Sequence, residues 1–246
     1  MDRTKKGIAA AAGFCLLWVL ILLTTTVTVY NIAGDRALLS SEMERWAPPK
    51  VSGLPEAQYQ EVGRVIAEYL TGRRTWFQYS YRDADDNVVM CFHENEEAHM
   101  ADCRFLIRRT GQFRWLLAGA ALVLIVAGIA MRQQKKSYAA GMIAGFCLGA
   151  LAIGAVLIWG LVNFGNLFTA FHRLFFNNNL WLMNSQTDLL VRLMPTSFFV
   201  SLGVKLLLAV AAVTLAALTG AVMILRSKNN DEEEEEQPAV PAEQDA

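Results

Sequence analysis

Four apolar stretches, each long enough to cross a bilayer, constrain this chain more than any other feature. They run from Gly7 to Val29, Trp115 to Met131, Tyr138 to Phe164 and Phe198 to Leu225. A spanning helix takes about 17–25 such residues. Arg3, Lys5 and Lys6 precede the first stretch, as in a signal peptide. A signal core has roughly 7–15 apolar residues and a small-residue cleavage site. This stretch is longer and no such site follows it, so it reads as a retained anchor.

The basic residues orient the spans. Arg3, Lys5 and Lys6, then Arg132, Lys135 and Lys136, then Arg226 and Lys228 all fall on one side of a four-span arrangement. Lysine and arginine concentrate on the cytoplasmic side. Both termini are therefore expected inside the cell membrane. Residues 30–114 and 165–197 are expected outside. The net charge of −1 gives no global field for nucleic acid.

The expected organisation follows: an anchor with the first span (1–29), an extracytoplasmic cap (30–114), the second span (115–131), a cytoplasmic link (132–137), the third span (138–164), an outer loop (165–197), the fourth span (198–225) and an acidic tail (226–246). The tail carries DEEEEE and reads as disordered. Within the cap, residues 31–55 read as loop, punctuated by Pro48, Pro49 and Pro55. Val62, Val65, Ile66, Tyr69 and Leu70 recur at helical spacing, which predicts a helix over 56–71 capped by Gly72. WFQYSY, then DADDN, then VVMCF predicts a hairpin over 75–92. Asn95 is placed to cap a further helix that carries His99 and Asp102 toward the second span. The fold class is thus membrane α-helical, with four transmembrane helices and a small α+β extracytoplasmic cap. Gly141, Gly145 and Gly149 permit close helix contact within it.

Few residues carry chemistry. HENEEAH, His93 to His99, lacks the i,i+4 histidine spacing of a zinc protease, so no metal is expected. Neither a nucleophile elbow nor a phosphate-binding glycine loop is present. Cys91 and Cys103 both fall in the cap, where a disulfide is permitted. Lys205 lies inside the fourth span. It either snorkels to the outer surface or marks a function, and snorkelling is the simpler reading. On a helix, Glu96, His99 and Asp102 share a face, and a carboxylate beside an imidazole fixes its tautomer and raises its basicity. His172 sits among Phe171, Phe175, Phe176 and Trp181. Each histidine alone is ambiguous between a polar or aromatic interface and a reaction centre. Both are expected on the outer face, close to the membrane surface, which suits acid/base chemistry on a lipid-linked substrate.

Three motifs then become specific: E-x-x-H-M-x-D from Glu96 to Asp102, F-H-x-x-F-F-x-N-N-x-W from Phe171 to Trp181, and D-L-L-V-R-L-M-P-x-x-F-F from Asp188 to Phe199. In order and topology they resemble a bacterial integral membrane family, the lipoprotein intramolecular transacylases (Lit). The resemblance implies transfer of an acyl chain from the glyceryl sn-2 position of a diacylated lipoprotein to the α-amino group of its N-terminal cysteine. It implies His99 and His172 as the catalytic pair, close enough to act through one bridging group. Glu96, Asp102, Arg173, Asn178, Asn179 and Asp188 are the expected supporting residues. The expected partners are the lipoprotein substrate and membrane lipid, and no cofactor is needed. The sequence does not fix the oligomeric state. A non-enzymatic scaffold that binds a partner through its cap is the alternative. A transporter fits less well, since Lys205 is nearly alone as an intramembrane charge.

Overall fold

An unbroken apolar run with no internal proline gives α1 (Asp2–Gly34). The computed structural model describes residues 2–227. Asp35 then ends one helix and starts another: its carboxylate accepts the Leu38 N–H, capping α2 (Arg36–Trp46). A single turn, α3 (Pro49–Ser52), precedes α4 (Tyr59–Thr71). The segment 31–55, expected as loop, is therefore largely helical. In α4 the expected apolar face is buried, with Val62, Val65 and Ile66 fully enclosed. Gly72 ends the helix in the left-handed conformation (φ 82°).

The hairpin is real but short. β1 (Ser80–Arg82) pairs antiparallel with β2 (Val88–Met90), in the register Ser80 to Met90. α5 (Glu94–Ala130) follows and runs 37 residues without interruption. It starts in the cap and ends at the far side of the bundle, so the expected second span is only its later half. α6 (Lys135–Val162) returns. Two helices stand in the segment expected as an outer loop: α7 (Phe164–Phe175) and the short α8 (Leu189–Leu193). α9 (Thr196–Arg226) crosses last. Residues 228–246, nearly all of the expected acidic tail, lie outside the described residues.

The chain is thus a bundle of four long apolar helices, α1, α5, α6 and α9, with a small α+β cap at one end. α1 stands in the middle, against the other three. Its contact with α6 depends on missing side chains. A Cβ on Gly141 would fall on the Ala10 carbonyl oxygen, and one on Gly13 on the Tyr138 carbonyl. A Cβ on Gly145 would sit tightly, 3.3 Å from the Phe14 carbonyl oxygen, and Gly149 has room for one, so of the three expected glycines Gly141 is the one where a side chain would collide outright.

The cap has its own core of Leu39, Met43, Leu54, Val62, Ile66, Phe77, Phe92 and Met100, closed below by Leu190, Leu193 and Phe198. Lys205 helps to fasten it. Its Nζ lies 2.9 Å from Oε1 of Glu42 on α2, and the Trp46 indole donates to the other oxygen at 2.9 Å. Lys205 therefore does not simply snorkel to the surface; a carboxylate from the cap reaches down to meet it.

Candidate active site

α5 begins where it does because Glu96 captures the N–H of His93 at 2.7 Å, three residues back. This is half of a capping box. The cap is His93, not Asn95 as the sequence suggested. The Asn95 amide instead donates to Asp188 at 3.0 Å. The other Glu96 oxygen accepts the Leu190 N–H at the start of α8, at 2.6 Å. Glu96 is fully buried. Burial raises its pKa and the two N–H groups oppose that rise. Asp188 accepts in addition from the Asn184 N–H and the Thr187 hydroxyl. Burial would raise its pKa as well, but these three donors outweigh burial and leave it lowered. Glu96 and Asp188 thereby clasp the start of α5 to the 184–190 segment.

This clasp sets His99 in the second turn of α5, and α7 brings His172 to it. α7 is strongly amphipathic, and His172 is its one buried residue. The two imidazoles stack with centroids 6.0 Å apart and planes 30° from parallel. They are 8% and 7% exposed, so water is largely excluded from both. Phe168, Phe176 and Trp181 surround His172 at 4.0, 5.5 and 4.9 Å, and Phe176 also meets His99 edge-on at 5.2 Å. Phe168 and His172 are spaced four apart on one face of α7, and Phe176 follows as the extended residue that ends the helix.

The ring nitrogens differ. His172 Nδ1 lies 2.7 Å from the Phe168 carbonyl oxygen, which can only accept. The proton of the neutral ring is therefore on Nδ1 and the lone pair on Nε2. His99 Nε2 faces the Cys103 sulfur at 3.4 Å, while its buried Nδ1 has no partner among the described residues. Burial lowers the pKa of His99 to about 4. The neighbouring His172 adds to the fall, and the Asp102 carboxylate works against it. His172 is lowered by burial too, against its bond to Phe168. The site therefore holds two neutral imidazoles at physiological pH.

The remaining expected residues divide. Asp102 lies one turn along α5 from His99, and its Oδ2 accepts from the Asn178 amide at 2.8 Å. Asn178 also accepts the Leu180 N–H and, through its backbone carbonyl, the Trp181 indole N–H. That turn holds Trp181 against His172. Glu96 makes no hydrogen bond to His99 among the described residues, and backbone N–H groups occupy both its oxygens. The expected carboxylate–imidazole hydrogen bond is not made by Asp102 either. The side chains of Arg173 and Asn179 are exposed and make no hydrogen bond or ion pair among the described residues. The cysteines are all free, so no bridge joins Cys91 to Cys103. Burial pushes the Cys103 thiol up to about 12. Among the described residues no group of three histidine, cysteine or acidic side chains could hold a metal ion. A cleft of about 820 Å³ between α1 and α4, lined by Tyr30, Arg36, Glu68 and Arg73, includes neither histidine.

Sequence reasoning did not single out Phe168, and it read Cys103 only as a possible disulfide partner and Asn95 only as a helix cap, not as contacts of His99 and Asp188. The four-residue spacing of Phe168 and Cys103 from a histidine was the available signal for two of them.

Comparison with known proteins bears on this arrangement. The family model described as lipoprotein intramolecular transacylase Lit matches residues 11–199. Among solved structures, the membrane-integral lipoprotein intramolecular transacylase Lit from Bacillus cereus is similar, at 14% identity and a TM-score of 0.67, covering 92% of this chain and 98% of that one. A variant of the same bacterial protein carrying a histidine-to-alanine mutation is similar at 15% identity and a TM-score of 0.65, covering 92% and 95%. At such identity the likeness carries the fold alone. No curated protein matches the chain.

Proposed function

Because the chain belongs to the lipoprotein intramolecular transacylase family, Lit, we propose that His99 and His172 carry out its acyl transfer. The family makes it an acyltransferase of the membrane. The substrate in this reading is a diacylglyceryl lipoprotein. The chain on its sn-2 oxygen moves to the α-amino group of the N-terminal cysteine and leaves a lyso-form product. The observation that carries the assignment is the stacked, buried histidine pair, 6.0 Å apart, contributed by two separate elements.

The chemistry follows from the tautomers. The neutral amine attacks the ester carbonyl carbon. A nitrogen–carbon bond forms, and the bond from that carbon to the glyceryl oxygen breaks. His172 Nε2, whose lone pair is free, takes the proton from the attacking nitrogen. The resulting imidazolium is unfavourable in a buried setting. It therefore gives the proton up readily to the departing glyceryl oxygen. An N–H of His99 faces the carbonyl oxygen as charge develops on it. Arg173 and Asn179 stand at the exposed rim, where substrate oxygens meet them. Ester and amine belong to one molecule, so positioning supplies much of the acceleration.

The height of the site supports a lipid-linked substrate. His99 lies 31 residues from Ala130 along α5, roughly 46 Å at helical rise. The hydrocarbon core is about 30 Å thick and about 40–45 Å with headgroups. The histidines thus stand near the headgroups of the leaflet opposite the α5–α6 link. That link and the first turns of α1, with Arg3, Lys5 and Lys6, are basic, which supports cytoplasmic termini and an extracytoplasmic site.

Mass spectrometry of a lipoprotein N-terminal peptide tests the assignment, in bacteria that lack other N-acylating enzymes. Wild type moves one acyl chain to the amine. His99→Ala and His172→Ala, at matched membrane levels, lose about 10²–10⁴-fold in rate. Wild-type transfer by either variant removes that histidine from the mechanism.

A further inference from the structure

The histidine pair accounts for the proton transfers, but not for how the amine is brought to them. The α-amino group has a pKa near 7.7–8.0, so at neutral pH most of it arrives as ammonium. It must enter a site built from two neutral imidazoles, two phenylalanines and a tryptophan. Moving an unpaired cation there from water is costly.

One anion stands beside that site. Asp102 is half-buried, one helical turn from His99 and close enough to oppose the fall of its pKa. Its Oδ2 is held by Asn178, and its other oxygen has no hydrogen bond or ion pair among the described residues. No lysine or arginine among those residues pairs with it, although Arg64 and Arg82 do pair with carboxylates elsewhere in the cap. The titratable groups that feel its charge are His99 and Cys103, and both are neutral here. Asn178, its anchor, belongs to the same turn that places Trp181 against His172, so carboxylate and aromatic wall are set by one residue. A second polar group nearby is also unpartnered: Nδ1 of the 92%-buried His99.

We propose that Asp102, held by Asn178, is the subsite that binds the substrate's α-ammonium group and orients it toward the histidine pair. This rests on the transacylase reading above. Asp102 binds the charged amine and stays beside it while one proton leaves to solvent. The neutral amine then lies within reach of His172 Nε2. Asp102 acts through the substrate rather than through His99, with which it makes no hydrogen bond.

Kinetics of the full chain in proteoliposomes, with a synthetic diacylglyceryl lipopeptide, test this. Asp102→Asn keeps shape and hydrogen-bonding capacity and removes the charge. KM for the free-amine lipopeptide is expected to rise about tenfold, with kcat changed less than threefold. The same lipopeptide with its amine acetylated is neutral and cannot react. Its inhibition constant is expected to be the same for wild type and Asp102→Asn. Asp102→Glu is expected to restore part of the lost KM. A fall in kcat at unchanged KM would overturn the proposal, because Asp102 would then act on His99. Equal weakening of free-amine and acetylated peptides would overturn it too, because the loss would be one of shape. Failure of the transacylase reading is separately visible: the wild type itself would then leave the free-amine lipopeptide untransferred, whereas wild-type transfer with an unchanged KM in Asp102→Asn would sink the Asp102 subsite alone.

Discussion

Burial that keeps His99 neutral also ties stability to pH. In the unfolded chain an imidazole titrates near 6.5, while in the fold His99 does so at about 4. Between these values the unfolded state binds a proton that the folded state refuses. The contribution of neutral His99 is therefore complete above about pH 6.5 and is lost progressively as the pH falls toward 4. His172 is shifted in the same direction. Thermal unfolding in detergent should show a Tm that drops across this window, and His99→Phe should flatten part of the drop. A pH-independent Tm in the wild type would mean that the imidazoles are solvated. The residues themselves were legible in the sequence, because two histidines sit in motifs 73 positions apart that share one expected side of the membrane. What Glu96 does was not legible. Sharing a helix face with His99 suggested contact, but a carboxylate three residues into a helix is equally placed to cap it. Which role wins depends on the Leu190 N–H, and only tertiary packing supplies that group.

The long helices could be read from hydropathy because lipid demands the same thing of every residue along them. The cap elements answer to a more local chemistry. α2, within RALLSSEMERW, has only a weak apolar face, and the prolines after it dominate the reading of the whole segment as loop. Its start was nonetheless encoded, since Asp35 caps it. α2 then meets α9 through Glu42 and Lys205. Glu42 is 6% exposed and Lys205 38% exposed in their side chains. The pair falls between an exposed one, worth about 0–1 kcal/mol, and a buried one, whose breaking costs roughly 3–5 kcal/mol. Lys205→Met leaves the buried carboxylate of Glu42 without its cation and should cost about 2 kcal/mol of stability on that scale. Replacing Glu42 with Gln as well should recover most of the loss. Denaturation of the two variants in the same detergent decides it. If the double variant is no more stable than Lys205→Met, the charges do not interact energetically.

At the scale of the whole molecule, α5 is one uninterrupted helix that carries His99 at its capped end and crosses the membrane with the rest. A continuous helix does not shorten to suit its surroundings, and α1 packs along it inside the bundle. Helices of fixed length respond to a thicker or thinner bilayer by tilting, or by deforming the lipid around them. The substrate's glyceryl ester, in contrast, rides at whatever height the headgroups take. Transfer should therefore peak in bilayers of one thickness and decline on both sides of it. Rates in proteoliposomes of phosphatidylcholines with monounsaturated chains from 14 to 22 carbons would show this, and a flat profile would mean that the substrate rather than the helix sets the register. Where the profile peaks, α5 serves as a depth gauge. The choice of ester along the membrane normal would then be made by the length of a rod before any side chain touches the lipid.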